Sequence, residues 1–228
     1  LETGESTGSR KNFMERDMTF AFNLFRKRDF PSQSPVREVV VPCSFSYGGR
    51  SGRLADRYDL HRFRVYLPRL EALLDDSGSE VIKDYGGTRT AVVSLDLGQG
   101  NERFVLKAFR RRSGFARLRS FLGRSRAERI WNMSNRLLAF GIRTPRPVAV
   151  IVEKVRGLLM REYYLSAFLE EACNLKLCVR RSGGKILEDG RLFQSLGRAI
   201  GCMHDRGLIH GDLKWSNILL TETEEGRT

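Results

Sequence analysis

The chain has 228 residues, 41% of them apolar and 10% aromatic, with a formal net charge of +13. That length allows one large domain or two small ones, and the apolar share excludes global disorder. No apolar run reaches the roughly 18 residues of a membrane-crossing helix, and the polar opening LETGESTGSR lacks the apolar centre of a signal peptide.

In chain order, residues 1–35 read as a weakly structured arm carrying Phe13, Phe20, Phe22, Phe25 and Phe30, and Val36–Val41 as a strand. CSFSYGGRSGR (43–53) reads as a loop from its Gly and Ser content. Residues 56–75 suit helix on either side of a break at Pro68. Glu80–Tyr85 and Thr90–Leu97 are β-rich runs joined by GGTR, the pattern of a hairpin, and Arg103–Phe109 is a third strand. Ser125–Phe140 repeats Ile130, Trp131, Ser134, Leu137 and Leu138 at helical spacing, with Gly141 to cap it and Pro145 and Pro147 to stop it. Val148–Val152 and Leu158–Phe168 are further strands, 169–175 leads away from them, and Leu192–Asp205 is a second helix closed by Gly207. The order predicts an α+β fold, an antiparallel sheet with one helix followed by a mainly helical part.

Cys43, Cys173, Cys178 and Cys202 form no Cys-x-x-Cys pair and have no His at zinc spacing, which points to thiols in a reducing, cytoplasmic setting. The cation excess favours anionic partners. Residues 103–129 hold ten Lys or Arg against one acid, Glu128. Such a run is a solvated face or a seat for an anionic membrane surface or phosphorylated acceptor. No aromatic-interleaved motif accompanies it, so nucleic acid is not the expected partner.

The densest chemistry is HGDLKWSN (210–217). Phosphoryl transfer needs a carboxylate near the acceptor hydroxyl, a cation near the moving phosphate and an oxygen ligand for magnesium, and Asp212, Lys214 and Asn217 offer these in one loop. The Asp-x-x-x-x-Asn spacing matches the kinase catalytic loop, with Gly211 where that loop carries Arg. His210 and His204 suit packing roles. Lys107 stands in an apolar strand, RFVLKAF, where kinases place the lysine that holds nucleotide phosphates. Glu128, 21 residues on, has two readings: partner of Lys107, or the acid of a capping box with Ser125. Gly86, Gly87 and Thr88 at the hairpin tip would present backbone amides and a hydroxyl to an anion, or form a plain turn.

Assembled, these residues resemble the protein-kinase-like superfamily. Over roughly 70–222, through EVIKDYGGTRT, FVLKAF, AERIWNMSNRLLAFGIRTPRPVAV and LGRAIGCMHDRGLIHGDLKWSNILL, the chain is similar to bacterial lipopolysaccharide-core kinases, which phosphorylate heptose or Kdo sugars. The resemblance implies a two-lobe kinase-like fold: an extension of unclear structure at 1–70, an N-lobe at 71–168, an adenine-binding hinge at 169–175 and part of a helical lobe at 176–228. It implies ATP and Mg²⁺, with Asp212 as base, Lys214 steadying the transferred phosphate, Asn217 as metal ligand, and Lys107 with Glu128 on the nucleotide. The acceptor would be a core glycolipid, met at the inner face of the cytoplasmic membrane. A second metal-binding Asp belongs after the loop in that family, and the sequence, which begins without Met and ends at Thr228, does not contain it, so a longer chain is expected. Aminoglycoside- or choline-kinase-like enzymes, a Ser/Thr protein kinase and a nucleotide-binding pseudokinase are the alternatives.

Overall fold

The computed structural model describes residues 16–20, 41–85, 87–110, 125–170, 172–209 and 213–222. Its centre is a seven-stranded antiparallel sheet. The strands are β2 (Pro42–Tyr47), β3 (Arg50–Ala55), β4 (Glu80–Tyr85), β5 (Thr88–Asp96), β6 (Asn101–Arg110), β7 (Pro147–Val155) and β8 (Leu158–Ala167), in the order β2-β3-β7-β8-β6-β5-β4. The expected hairpin over 80–97 and the strands at 103–109, 148–152 and 158–168 are all present, with ends that differ by no more than three residues.

The segment 43–53 is not a loop but most of the β2–β3 hairpin. Its turn is Gly48–Gly49, both at positive φ (57° and 76°), the backbone that a two-residue hairpin connection demands and glycine supplies at least cost. The third glycine, Gly52, is a packing requirement instead. It pairs with Ile151 of β7, and a Cβ there would lie 2.0 Å from the Val150 carbonyl oxygen. The expected strand at 36–41 falls outside the described residues except for Val41, which is exposed and irregular.

Both faces of the sheet are covered, and neighbouring tyrosines on β8 show how, because successive strand residues point to opposite sides. Tyr164 donates its hydroxyl to Ser134 Oγ (3.1 Å) on α2 (Arg126–Ala139). Tyr163 donates to Glu71 Oε2 (2.8 Å), in the helical segment that covers the other face: α1 (Leu60–Tyr66), then short 3-10 turns at Leu67–Arg69 and Ala72–Leu74. The break expected at Pro68 is the first of those turns. Phe45, Phe63, Leu74, Leu106, Trp131 and Tyr163 belong to one core, so the stretch from 42 to 74 shares the core of the sheet, 42–55 as strands and 60–74 as the helical cover.

A second core lies beyond. It joins Leu137 and Ile142 at the end of α2 to α3 (Leu175–Arg181), α4 (Gly190–Asp205) and β10 (Ile218–Glu222). β10 pairs antiparallel with β1 (Arg16–Phe20) and with β9 (Cys173–Asn174). Of the stretch read as an arm, only Arg16–Phe20 is described, and it is a strand. The α2 and α4 termini are built alike. Gly141 and Gly207 sit at positive φ, Ile142 N–H returns to the Leu137 carbonyl and Leu208 N–H to the Met203 carbonyl (2.8 Å each), and both pairs are buried in the second core. Among the described residues no helix is long and apolar enough to cross a membrane.

Candidate active site

The sheet positions the first group of candidates. Lys107 on β6 stands opposite Thr90 on β5 and Tyr164 on β8, and Thr90 in turn stands opposite Lys83 on β4. Residues directly opposite across an antiparallel pair share a face. Lys107, Thr90, Lys83 and Tyr164 therefore form one rung on the α2 side, and Thr88, opposite Phe109, lies on the next. A bulge between Val81 and Lys83 alters the β4 register at this rung, the kind of irregularity that re-aims a side chain.

Two lysines on one rung have an electrostatic consequence. Burial removes solvent from the Lys107 ammonium and, secondarily, the Lys83 charge repels it, so its pKa falls from 10.5 to about 8. An anion arriving on this face would relieve both effects.

At the hairpin tip, Gly86 lies outside the described residues. Gly87 has φ 76° and its carbonyl accepts the Arg110 amide (2.8 Å), which ties the tip to the end of β6. A Cβ at 87 would meet the Arg110 carbonyl oxygen at 3.0 Å.

Glu128 is in the first turn of α2, half-buried, and its backbone amide donates to Ser125 Oγ (3.1 Å), one half of the capping box. The carboxylate that anchors this helix end is Glu162 of β8, 1% exposed. Its Oε2 accepts from the Ser125 hydroxyl (2.6 Å) and from the Ala127 amide (3.0 Å). Ser125 thus donates to Glu162 while accepting from Glu128, and a negative charge sits at the positive end of the helix. The sequence did hold the signal: Glu162 interrupts the apolar run LLMREYYLSAF as Lys107 interrupts RFVLKAF.

Glu162→Ala would strand a buried hydroxyl and amide together, and the expected cost is about 3 kcal/mol. Glu162→Gln, which keeps an acceptor oxygen, should lose less than half of that. Urea unfolding of both variants checks the order; equal losses would mean that the charge and not the acceptor holds the helix.

The second group follows α4. Residues 210–212, which include the expected base Asp212, lie outside the described residues. Lys214 is extended and exposed. Trp215–Asn217 form a 3-10 turn in which the Asn217 amide returns to the Lys214 carbonyl (2.8 Å). Asn217 is 4% exposed, and β10 starts at the next residue, with Ile218 and Leu220 in the second core. The structure thus gathers Lys107 with Lys83, Thr90 and Thr88 on one face, and Lys214 with Asn217 in one turn.

Among the described residues no cluster of three or more His, Cys, Asp or Glu could hold a metal. No disulfide joins the four cysteines; Cys43 is exposed and Cys178 buried.

The lipopolysaccharide kinase (Kdo/WaaP) family model matches residues 86–228, which contain every site residue read from the sequence. A 3-deoxy-D-manno-octulosonic acid kinase of Vibrio cholerae serotype O1 (strain ATCC 39315 / El Tor Inaba N16961) is 32% identical over 146 residues, 61% of this chain and 58% of that protein. The chain thus aligns with a little over half of that relative's length. No solved structure matches.

Proposed function

The chain belongs to the lipopolysaccharide kinase (Kdo/WaaP) family, and from that premise we propose an ATP-dependent phosphotransferase acting on a sugar hydroxyl of the lipopolysaccharide inner core. The observation that carries the reading is the family match across 86–228, which takes in the desolvated lysine of the sheet and the whole HGDLKWSN segment. The relative's own acceptor is an acidic sugar, 3-deoxy-D-manno-octulosonic acid.

In this reading 71–168 is the nucleotide-binding lobe, whose core also takes in Phe45, Leu54 and Phe63, 169–175 the hinge that meets adenine, and 176–228 the start of a second lobe. Lys107 binds the nucleotide phosphates, helped by Gly86, Gly87 and Thr88 at the hairpin tip, and Glu128 at the head of α2 is its ion-pair partner. Asp212 takes the proton of the sugar hydroxyl as its oxygen bonds to the γ-phosphorus; the bond to the bridging oxygen breaks and ADP leaves. Lys214 steadies the moving phosphoryl group. Magnesium would sit on the nucleotide phosphates, where it neutralises charge, with the buried Asn217 amide oxygen as its described protein ligand. The set fits an ion bound largely through substrate. The net charge of +13 supports a peripheral seat on an anionic membrane surface, where a glycolipid acceptor would reside.

The test is transfer of labelled γ-phosphate from Mg-ATP to core glycolipid carrying the acidic sugar, with sugar-free glycolipid and generic protein as competitors. Label in the sugar-bearing glycolipid alone is expected. Label in protein, or in none of the three, would remove the acceptor assignment. Presenting the acceptor in anionic and then neutral vesicles tests the membrane seat, which equal rates would remove.

A further inference from the structure

Beside the 213–217 turn lies a cleft of about 410 Å³, lined by Lys176, Val179, Arg180, Lys214, Trp215 and Ser216. Three cations and no acid line it. Lys176 and Arg180 project from the same face of α3 at i and i+4, are both exposed, and form no ion pair among the described residues. Like charges at that spacing slightly destabilise a short helix, a cost that a bound anion would reverse. Trp215, an aromatic residue that folding would normally cover, is 47% exposed at the cleft wall. Asn174 caps α3 through the Leu177 amide (2.9 Å), and Leu175 and Cys178 pin the opposite face of α3 into the second core, so the two cations are presented from a fixed element.

A cationic pair and an exposed indole lining one cleft suit one class of ligand: a ring with an apolar C–H face and an acidic substituent. Lys214, Trp215 and Ser216 of the cleft wall belong to the HGDLKWSN segment, so a sugar held there would lie against its described half. We propose that this cleft is the acceptor subsite, in which Lys176 and Arg180 bind the carboxylate of an acidic sugar and Trp215 stacks on its ring. The inference rests on the phosphotransferase reading for its purpose, but not for its test.

The test is binding of free 3-deoxy-D-manno-octulosonic acid, read by tryptophan fluorescence and calorimetry, alongside transfer kinetics. Lys176→Ala and Arg180→Ala should each weaken sugar binding and raise the acceptor KM about tenfold, with the ATP KM unchanged. Esterifying the carboxylate should weaken binding to the wild type and make no difference to the double variant. Trp215→Ala should reduce binding of acid and ester alike. Sugar binding without phosphoryl transfer would keep the cleft and remove the phosphotransferase. No sugar binding by the wild type, or unchanged binding and acceptor KM in the double variant, would overturn the cleft, whatever the transfer assay shows. Equal competition by inorganic phosphate would also overturn it, because the site would then read charge and not sugar.

Discussion

Asp212→Asn is expected to slow phosphoryl transfer by about 10²–10⁴-fold while leaving nucleotide affinity and thermal stability close to wild type. The substitution preserves shape and removes only the proposed proton acceptor. Both ends of its segment are anchored by the second core: upstream by Leu208, whose amide closes α4, and downstream by Ile218 and Leu220 of β10. Neither anchor involves a carboxylate at 212, so the backbone should hold its course. Because the lost interaction develops only as the hydroxyl proton moves, kcat and kcat/KM should fall together. Single-turnover transfer with saturating Mg-ATP makes the comparison. A variant within a few-fold of wild type would place the base elsewhere, and one that also fails to bind nucleotide would show that residue 212 is structural.

What could be read from sequence divides along the range of the interactions. The β4–β5 hairpin, α2 and α4 were legible because their signals are local: alternation, helical spacing and a capping glycine within one or two turns. The β2–β3 hairpin was misread because Gly48 and Gly49 serve a tight turn while Gly52 serves close packing on β7, and composition cannot separate those uses. α3 has no readable signal because LKLCVRR is seven residues long with three cations among them, too short to show a period. The pairing of β1 with β10 joins segments from near the two ends of the chain, which no local pattern encodes. The site shows the same split. HGDLKWSN and Lys107 stood out as residue types at a spacing. Lys83 became relevant only once the rung Lys83–Thr90–Lys107 existed, and Glu162 only once α2 was set down over β8. The two readings of Glu128 could not be separated in sequence because the capping box and the ion pair ask for the same residue type at the same place; the structure realises the backbone half of the box.

Lys107→Met is expected to lower kcat/KM for ATP by about 10²–10³-fold and at the same time to stabilise the fold near neutral pH. The two effects have one cause. The protein holds the ammonium where burial, and then Lys83, push its pKa from 10.5 to about 8. Below about pH 8 the lysine is charged both folded and unfolded, and the full penalty of burying that charge is present. Between about pH 8 and 10.5 the unfolded chain binds more protons than the folded one, so wild-type stability gains with rising pH from this group. The gain amounts to at most about 3 kcal/mol, since each tenfold drop in proton affinity is worth about 1.4 kcal/mol. Methionine has no charge to bury, so the stability difference between variant and wild type should shrink across that window. Nucleotide binding should run the other way. Phosphate contact needs the ammonium, so wild-type affinity for ATP is expected to fall above about pH 8, approaching tenfold per pH unit. With nucleotide bound, the phosphates favour the charged form, and kcat should hold to higher pH than kcat/KM. Lys83→Ala should move the affinity break upward, since it removes the second cause of the depression. Urea unfolding and ATP titration of wild type, Lys107→Met and Lys83→Ala from pH 7 to 10 test every part of this. A methionine variant that is less stable at pH 7, or a wild-type affinity flat through pH 9, would mean that the rung does not hold a desolvated, phosphate-seeking lysine.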